Sequence, residues 1–415
     1  VSSRRRASAR ELGSRPGTAV DKNETDEGSS IVGMQGDTMN RIKELGQAGQ
    51  SVWLDFMQRS LVTKGELKRL IDNDGIAGLT SNPTIFQKAV EGSKDYDDLF
   101  AKMAPEGKSV AQVYDLLTLR DIQDAARVFR PVWDSTAHKD GYCSLEVSPK
   151  LAHDTRGSVE EARRLWKALG APNVMIKIPG TPEGVPAIEQ CISEGININV
   201  TLLFSQEAYV SVAEAYLGGL ERRAKEGKDV SGLASVASFF VSRIDAEVEK
   251  RIGQARAKGV DEGRSRLFDE LLAKVAIANA KLAYRRYRGL FSGARWEALE
   301  KKGANPQRVL WASTGTKSPK YSDVLYVEEL IGKQTVNTVP PATLDAFREH
   351  GKVRQSLTED LPGAEKTMAK LEESGLSMKA ITDTLVAEGV QKFAESFDEL
   401  FKAIGERLRA HGGKA

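Results

Sequence analysis

From residue 40 onward the chain carries two hydrophobic rhythms in turn. Short β-rich runs recur at 52–56, 76–81, 142–148, 174–179, 196–203, 234–240, 308–313 and 335–339. Between most of them, apolar residues return at helical spacing, most clearly over 159–169, 206–225 and 267–287. The early gaps hold additional helical patterns at 96–103 and 110–129, and another runs over 377–408 through Ile381, Leu385, Val390, Phe393, Phe397, Leu400 and Leu408. Strands alternating with helices predict a parallel sheet of the α/β class, and eight of them predict closure into a barrel. The last pattern is read as a helical cap on that barrel. The weakest joints fall at 292–306 and 357–366.

Alternation within the strands says where chemistry would sit. Side chains change faces with period two. In 196–203, Asn197, Asn199 and Thr201 share one face and Ile196, Ile198, Val200 and Leu202 the other. Ser144, Glu146 and Ser148 oppose Cys143, Leu145 and Val147; Met175 and Lys177 oppose Val174, Ile176 and Ile178; Trp53 and Asp55 oppose Val52, Leu54 and Phe56. A barrel wrapped in helices turns its apolar face outward, so the polar face lines the lumen. A solvent-facing antiparallel sheet would give the same alternation strand by strand, but the intervening helices count against it.

Lys177 stands out, because a lysine in a strand that otherwise buries apolar groups is uncommon. It could pair with a lumen carboxylate, or reach out to solvent along its own stem. It could also be an imine-forming nucleophile. An ordinary amine, with a pKa of about 10.4, is protonated at neutral pH, and desolvation in a barrel favours the neutral form. A neutral amine attacks a ketone, and the iminium formed is an electron sink that lets the adjacent carbon–carbon bond break. Asp55 and Glu146, on separate strands of the same face, are candidates to move protons, although either could simply balance the lysine. Ser238, Arg243, Ser313, Thr316 and Lys317 follow the sixth and seventh strands, where barrels often bind phosphate. Ser-Thr-Gly-Thr-Lys at 313–317 lacks the spacing of a nucleotide P-loop, and such runs also occur as plain loops.

Composition trims the alternatives. The 415 residues are 40% hydrophobic and 28% charged, which excludes a mainly disordered or collagen-like chain. No apolar run approaches the roughly 18 residues that span a bilayer. Sixty basic against 58 acidic residues leave a net charge of +2, which argues against a surface built for nucleic acid. Two cysteines, Cys143 and Cys191, cannot form a disulfide framework and fit a reducing compartment. His138, His153, His350 and His411 form no cluster with metal-ligand spacing.

Residues 1–38 lack apolar periodicity; Arg4, Arg5, Arg6, Arg10 and Arg15 precede an acidic stretch from Asp21 to Glu27. This is read as a disordered tail. An organelle transit peptide, which would place the protein in a plastid, is the alternative, weakened by the acidic stretch. The chain begins with Val1, so a start at Met34 or Met39 and a processed or engineered end stay open.

Three segments carry a resemblance. Gly78-Leu79-Thr80-Ser81-Asn82-Pro83-Thr84-Ile85-Phe86 resembles the transaldolase signature, Ile176-Lys177-Ile178-Pro179-Gly180-Thr181 the surroundings of that family's Schiff-base lysine, and 195–205 the strand that follows it. With the seventh-strand segment they cover about 45 to 350 in the family's order. The match looks closest to the longer bacterial and plant-type subgroup of this class I aldolase superfamily, whose fold is the (β/α)8 TIM barrel. It implies a transferase of carbohydrate metabolism, in the cytoplasm. A dihydroxyacetone unit would pass from sedoheptulose 7-phosphate to glyceraldehyde 3-phosphate, giving erythrose 4-phosphate and fructose 6-phosphate in the pentose phosphate pathway. It implies no metal and no organic cofactor. By resemblance Lys177 forms the imine, Asp55 takes the hydroxyl proton, and Glu146 and Thr201 hold a relaying water. Asn82 and Asn199 bind the dihydroxyacetone moiety with Thr80 and Ser238 nearby, and Arg243 binds phosphate. Shorter members carry an arginine soon after the serine matching Ser313; here Lys317 is assigned that role. A fructose-6-phosphate aldolase-like lyase and a non-catalytic sugar-phosphate-binding barrel are the competing readings.

Overall fold

A computed structural model describes residues 40–413. The readings made for residues 1–38 and for the two candidate start methionines lie outside the described residues. Eight strands, β1 (Gln50–Asp55), β2 (Gly78–Thr80), β3 (Tyr142–Glu146), β4 (Val174–Pro179), β5 (Ile198–Leu203), β6 (Ser235–Phe240), β7 (Arg308–Ala312) and β8 (Thr335–Val339), pair in chain order. They form a closed, all-parallel barrel, with β1 joined to β8. Each strand lies within two residues of its expected span at either end. The outward apolar rows of the barrel and the inner faces of the helices share one large core.

Local chemistry explains the elements. Asn82 caps the helix Pro83–Gly92 by accepting from the Ile85 amide, with Pro83 at the first helical position. Ser205 caps Gln206–Lys225 in the same way, and Gly170 and Gly195 end their helices in the left-handed conformation. In the lumen, Trp53 lies over Gly78, where a Cβ would come within 2.6 Å of the indole. Glycine at the start of β2 is therefore what lets a tryptophan fill the lower barrel.

Three features depart from the pattern. The helix expected over 267–287 is two helices, Glu262–Leu271 and Val275–Leu290, broken where Ala273 takes a φ of 58°. The Ala276 amide in the first turn of the second is held by the Asp245 carboxylate at 2.8 Å. The joint at 292–306 contains a helix, Gly293–Glu300, and the joint at 357–366 contains the start of Leu361–Glu373. At the β1–β8 seam the outward face is polar. Gln50 donates to Thr335 Oγ1 at 3.0 Å and to the Leu330 carbonyl at 2.7 Å, while Thr314 donates to Asn337 at 2.9 Å.

The final helix, Met378–Ala410, has 33 residues and so runs about 50 Å across the C-terminal mouth. Gly389 touches β5, where a Cβ would come 2.9 Å from Leu202. Ser396 accepts from Thr84 at 2.8 Å, Asp398 pairs with Lys150 at 2.6 Å, and Arg407 donates to the Val90 carbonyl at 2.7 Å and pairs with Asp97. The expected cap is thus a lid strapped to segments following β2 and β3.

Candidate active site

The polar residues of β1 to β6 meet inside the upper barrel. Register sets Asp55 beside Thr80, and places Glu146, Lys177 and Asn199 side by side on β3, β4 and β5. The Lys177 ammonium lies 3.6 Å from Glu146 Oε2 and donates to the Ser81 carbonyl at 3.3 Å. Both charged residues are about 4% exposed. The lysine therefore points into the lumen and not toward solvent.

Around this pair, Asn199 donates to Ser144 Oγ at 3.0 Å and accepts from Ser238 Oγ at 2.8 Å. Thr80 donates to Asp55 Oδ1 at 2.7 Å and lies 2.7 Å from Thr338 Oγ1. Thr201 sits level with Pro179, just before an irregularity in β5 where Leu202 takes a φ of 60°. Bulges of this kind re-aim side chains near sites. Glu146 Oε1, Oε2 and Thr201 Oγ1 are buried without a hydrogen-bond partner among the described residues. A buried acceptor left in that state calls for a functional explanation.

Burial pushes the Glu146 carboxyl up to about 7, against the opposing pull of Lys177. Burial also raises Asp55, opposed by Lys177, the Thr80 hydrogen bond, Lys317 and Arg243. Two acids, both pushed by burial toward holding a proton, thus share a chamber with one amine.

The cations lie at the rim. Arg243 is the second residue of the helix Ser242–Ala257, stacked 5.1 Å over the Phe240 ring, and burial lowers its pKa. Ser313 turns the chain after β7 with a φ of 56° and brings its hydroxyl 3.0 Å from Ser242 Oγ. Lys317 reaches solvent but is crowded on its barrel side. Burial first, then the charges of Arg243, Lys392 and Lys88, lower its pKa against the pull of Asp55. Thr316 faces away from this group, donating to the Ser322 carbonyl at 2.7 Å. Asn82 follows Ser81, whose carbonyl meets Lys177, and spends its own side-chain carbonyl oxygen on the helix cap.

Ser144, Ser242, Thr338, Lys88, Lys392 and Phe393 were not among the expected site residues. The helical rhythm put Phe393 on a buried face without saying that the face covers a barrel mouth. Size would not have found the site either. A cavity of about 820 Å³ lies beside Tyr284 and Lys333, and one of about 400 Å³ at the N-terminal mouth; Lys177 lines neither.

The transaldolase/fructose-6-phosphate aldolase family matches residues 52–404, a span holding every strand but the first two residues of β1. The chain belongs to the transaldolase/fructose-6-phosphate aldolase family. It is 45% identical to a protein named transaldolase from Trichodesmium erythraeum, over 89% of this chain and 98% of that one. It is 46% identical to a transaldolase of Thermobifida fusca, over 89% and 99% respectively. A transaldolase 2 of Nostoc punctiforme is 45% identical over 89% and 98%. The lysine-bearing barrel, and the order of its strands, are those expected from the family resemblance.

Proposed function

We propose that this chain moves a dihydroxyacetone unit from a ketose phosphate to an aldose phosphate through an imine on Lys177. Near-full-length likeness to proteins named transaldolase makes it an enzyme of the transferase class, and disfavours a simple aldolase or a non-catalytic barrel. The observation that carries the mechanism is the Lys177 amine, 3.6 Å from a Glu146 carboxylate that has no hydrogen-bond partner among the described residues.

In this reading the amine adds to the donor ketone. A water held by Glu146 and Thr201 carries protons while hydroxide leaves and the iminium forms. The orphaned oxygens on both residues are the support for that water. Asp55 then takes the proton from the hydroxyl beyond the scissile bond. The carbon–carbon bond breaks, its electrons move into the iminium, and an aldose phosphate departs. The resulting enamine attacks the acceptor aldehyde, Asp55 returns the proton, and water releases the new ketose. Asn199 and Asn82 hold the dihydroxyacetone hydroxyls, with Thr80 and Ser238 fixing Asp55 and Asn199. Arg243 and Lys317, with Ser313 alongside, take the phosphate. A phosphate there offsets the two cations that now favour ionised Asp55, so substrate binding makes Asp55 a stronger base.

Sedoheptulose 7-phosphate and glyceraldehyde 3-phosphate are the proposed substrates, within the pentose phosphate pathway. Residues 39–415 are proposed to act as one barrel domain. A cytoplasmic setting belongs to the same reading, and two buried free cysteines agree with a reducing compartment. Among the described residues no helix is long and apolar enough to cross a membrane.

Borohydride reduction in the presence of fructose 6-phosphate, followed by peptide mapping, tests the reading. A mass increase on the peptide containing Lys177 is expected; its absence would overturn the imine. Turnover that needs an acceptor aldehyde separates transfer from simple cleavage.

A further inference from the structure

Phe393, in the middle of the lid helix, is buried with its ring centroid 5.9 Å from Lys177 Nζ. Its position is fixed from both sides along the helix. One turn earlier, Gly389 lets the helix close on Leu202 of β5, and one turn later Ser396 is tied to Thr84. The amine therefore meets Glu146, the Ser81 carbonyl and the face of an aromatic ring.

The face of an aromatic ring attracts a cation at this distance, and an apolar ring excludes water. Both effects bear on the intermediates of the reaction proposed above, on which this inference rests. The iminium is a cation centred on Nζ. The enamine left after cleavage has two fates. It can form a carbon–carbon bond to the acceptor's aldehyde carbon, the aldehyde oxygen taking its proton from Asp55. Otherwise its terminal carbon takes a proton from solvent and the iminium is restored. Water then adds to the iminium carbon, the carbon–nitrogen bond breaks with return of the electron pair to nitrogen, and free dihydroxyacetone leaves. We propose that Phe393 roofs the imine, holding the cation and keeping solvent from the three-carbon intermediate, and so sets the split between transfer and release.

The test compares the full-length chain with Phe393→Ala, Phe393→Leu and Ser396→Ala. Each is supplied with fructose 6-phosphate with and without erythrose 4-phosphate, and free dihydroxyacetone is measured against sedoheptulose 7-phosphate formed. Phe393→Ala should raise the ratio of release to transfer about tenfold or more, a change of one decade in relative barrier. Phe393→Leu, which keeps apolar bulk but loses the ring face, should raise it by a smaller factor. Ser396→Ala, which loosens the same helix without touching the ring, should stay within about twofold of the parent. A ratio unchanged in both Phe393 variants would overturn the proposal, as would an equal rise in Ser396→Ala. If Phe393→Ala fails to fold, Phe393→Leu decides alone, an unchanged ratio overturning the roof. Failure of borohydride trapping in the parent would instead remove the imine itself, so the two readings fail separately.

Discussion

The two mouths of the barrel both hold charge drawn in from solvent, half-buried at one and buried at the other, and they treat it in opposite ways. At the N-terminal mouth, Asp140 accepts from Ser51 Oγ at 2.7 Å, Trp53 Nε1 at 3.0 Å and Arg308 Nη2 at 2.9 Å. Arg308 donates further to Ser51 Oγ and the Lys139 carbonyl. At the C-terminal mouth, Glu146 lies 3.6 Å from Lys177, and neither its oxygens nor Thr201 Oγ1 has a hydrogen-bond partner among the described residues. A charge surrounded by donors is fixed in place and closes the barrel floor. A charge short of partners can change its protonation and bind something that arrives. The same polar alternation along the strands thus makes a rivet at one end and, in the proposed function, a reaction chamber at the other.

Substitutions at the two ends should separate accordingly. The largest effect is expected from Lys177→Ala. Turnover should fall by about 10⁴-fold or more while the circular dichroism spectrum and thermal unfolding stay close to the parent. Substantial residual turnover would contradict the division. Next, Asp140→Ala leaves Arg308 half-buried and unpaired. Urea unfolding should show a loss of about 3 kcal/mol, with kcat of the folded enzyme little changed. A loss of activity without a loss of stability would show that the floor is not merely structural.

Glu146→Gln comes third, with kcat expected to drop about 100-fold. Its sign with pH follows from its position near 7: the ionised form acts as base, so parent activity should fall as pH drops through about 7. In Glu146→Gln that limb of the kcat profile should disappear. The smallest effect is expected at the rim. Lys317→Met should raise KM for a phosphorylated donor about five- to tenfold with little change in kcat, the scale of one solvent-screened charge. Equal weakening of an unphosphorylated donor would sink its assignment to phosphate.

The barrel and the polar face that lines it were legible because period-two alternation is a local property of each strand. Lys177 in Val174–Pro179, and Asn199 with Thr201 in Ile198–Leu203, declare a face without reference to any neighbour. What escaped depends on partners far along the chain. The break at Ala273 answers to Asp245, and the outward polar seam at Gln50 answers to Thr335 and Leu330. The role of the Asn82 carbonyl was readable and overlooked, since asparagine followed by proline is a helix-start signal. Phe393 was not readable at all, because helical spacing reports that a residue is buried and not what it covers.

The lid has a consequence for the order of assembly. Half the chain separates Lys177 from Phe393, and all eight strands leave the ribosome before the helix Met378–Ala410 is complete. A nascent barrel can close its sheet while its chamber still stands open to the cell. The proposed roof over Lys177 is then added only after the strands are made, so a chain that stopped before Met378 would keep Lys177 and lose Phe393.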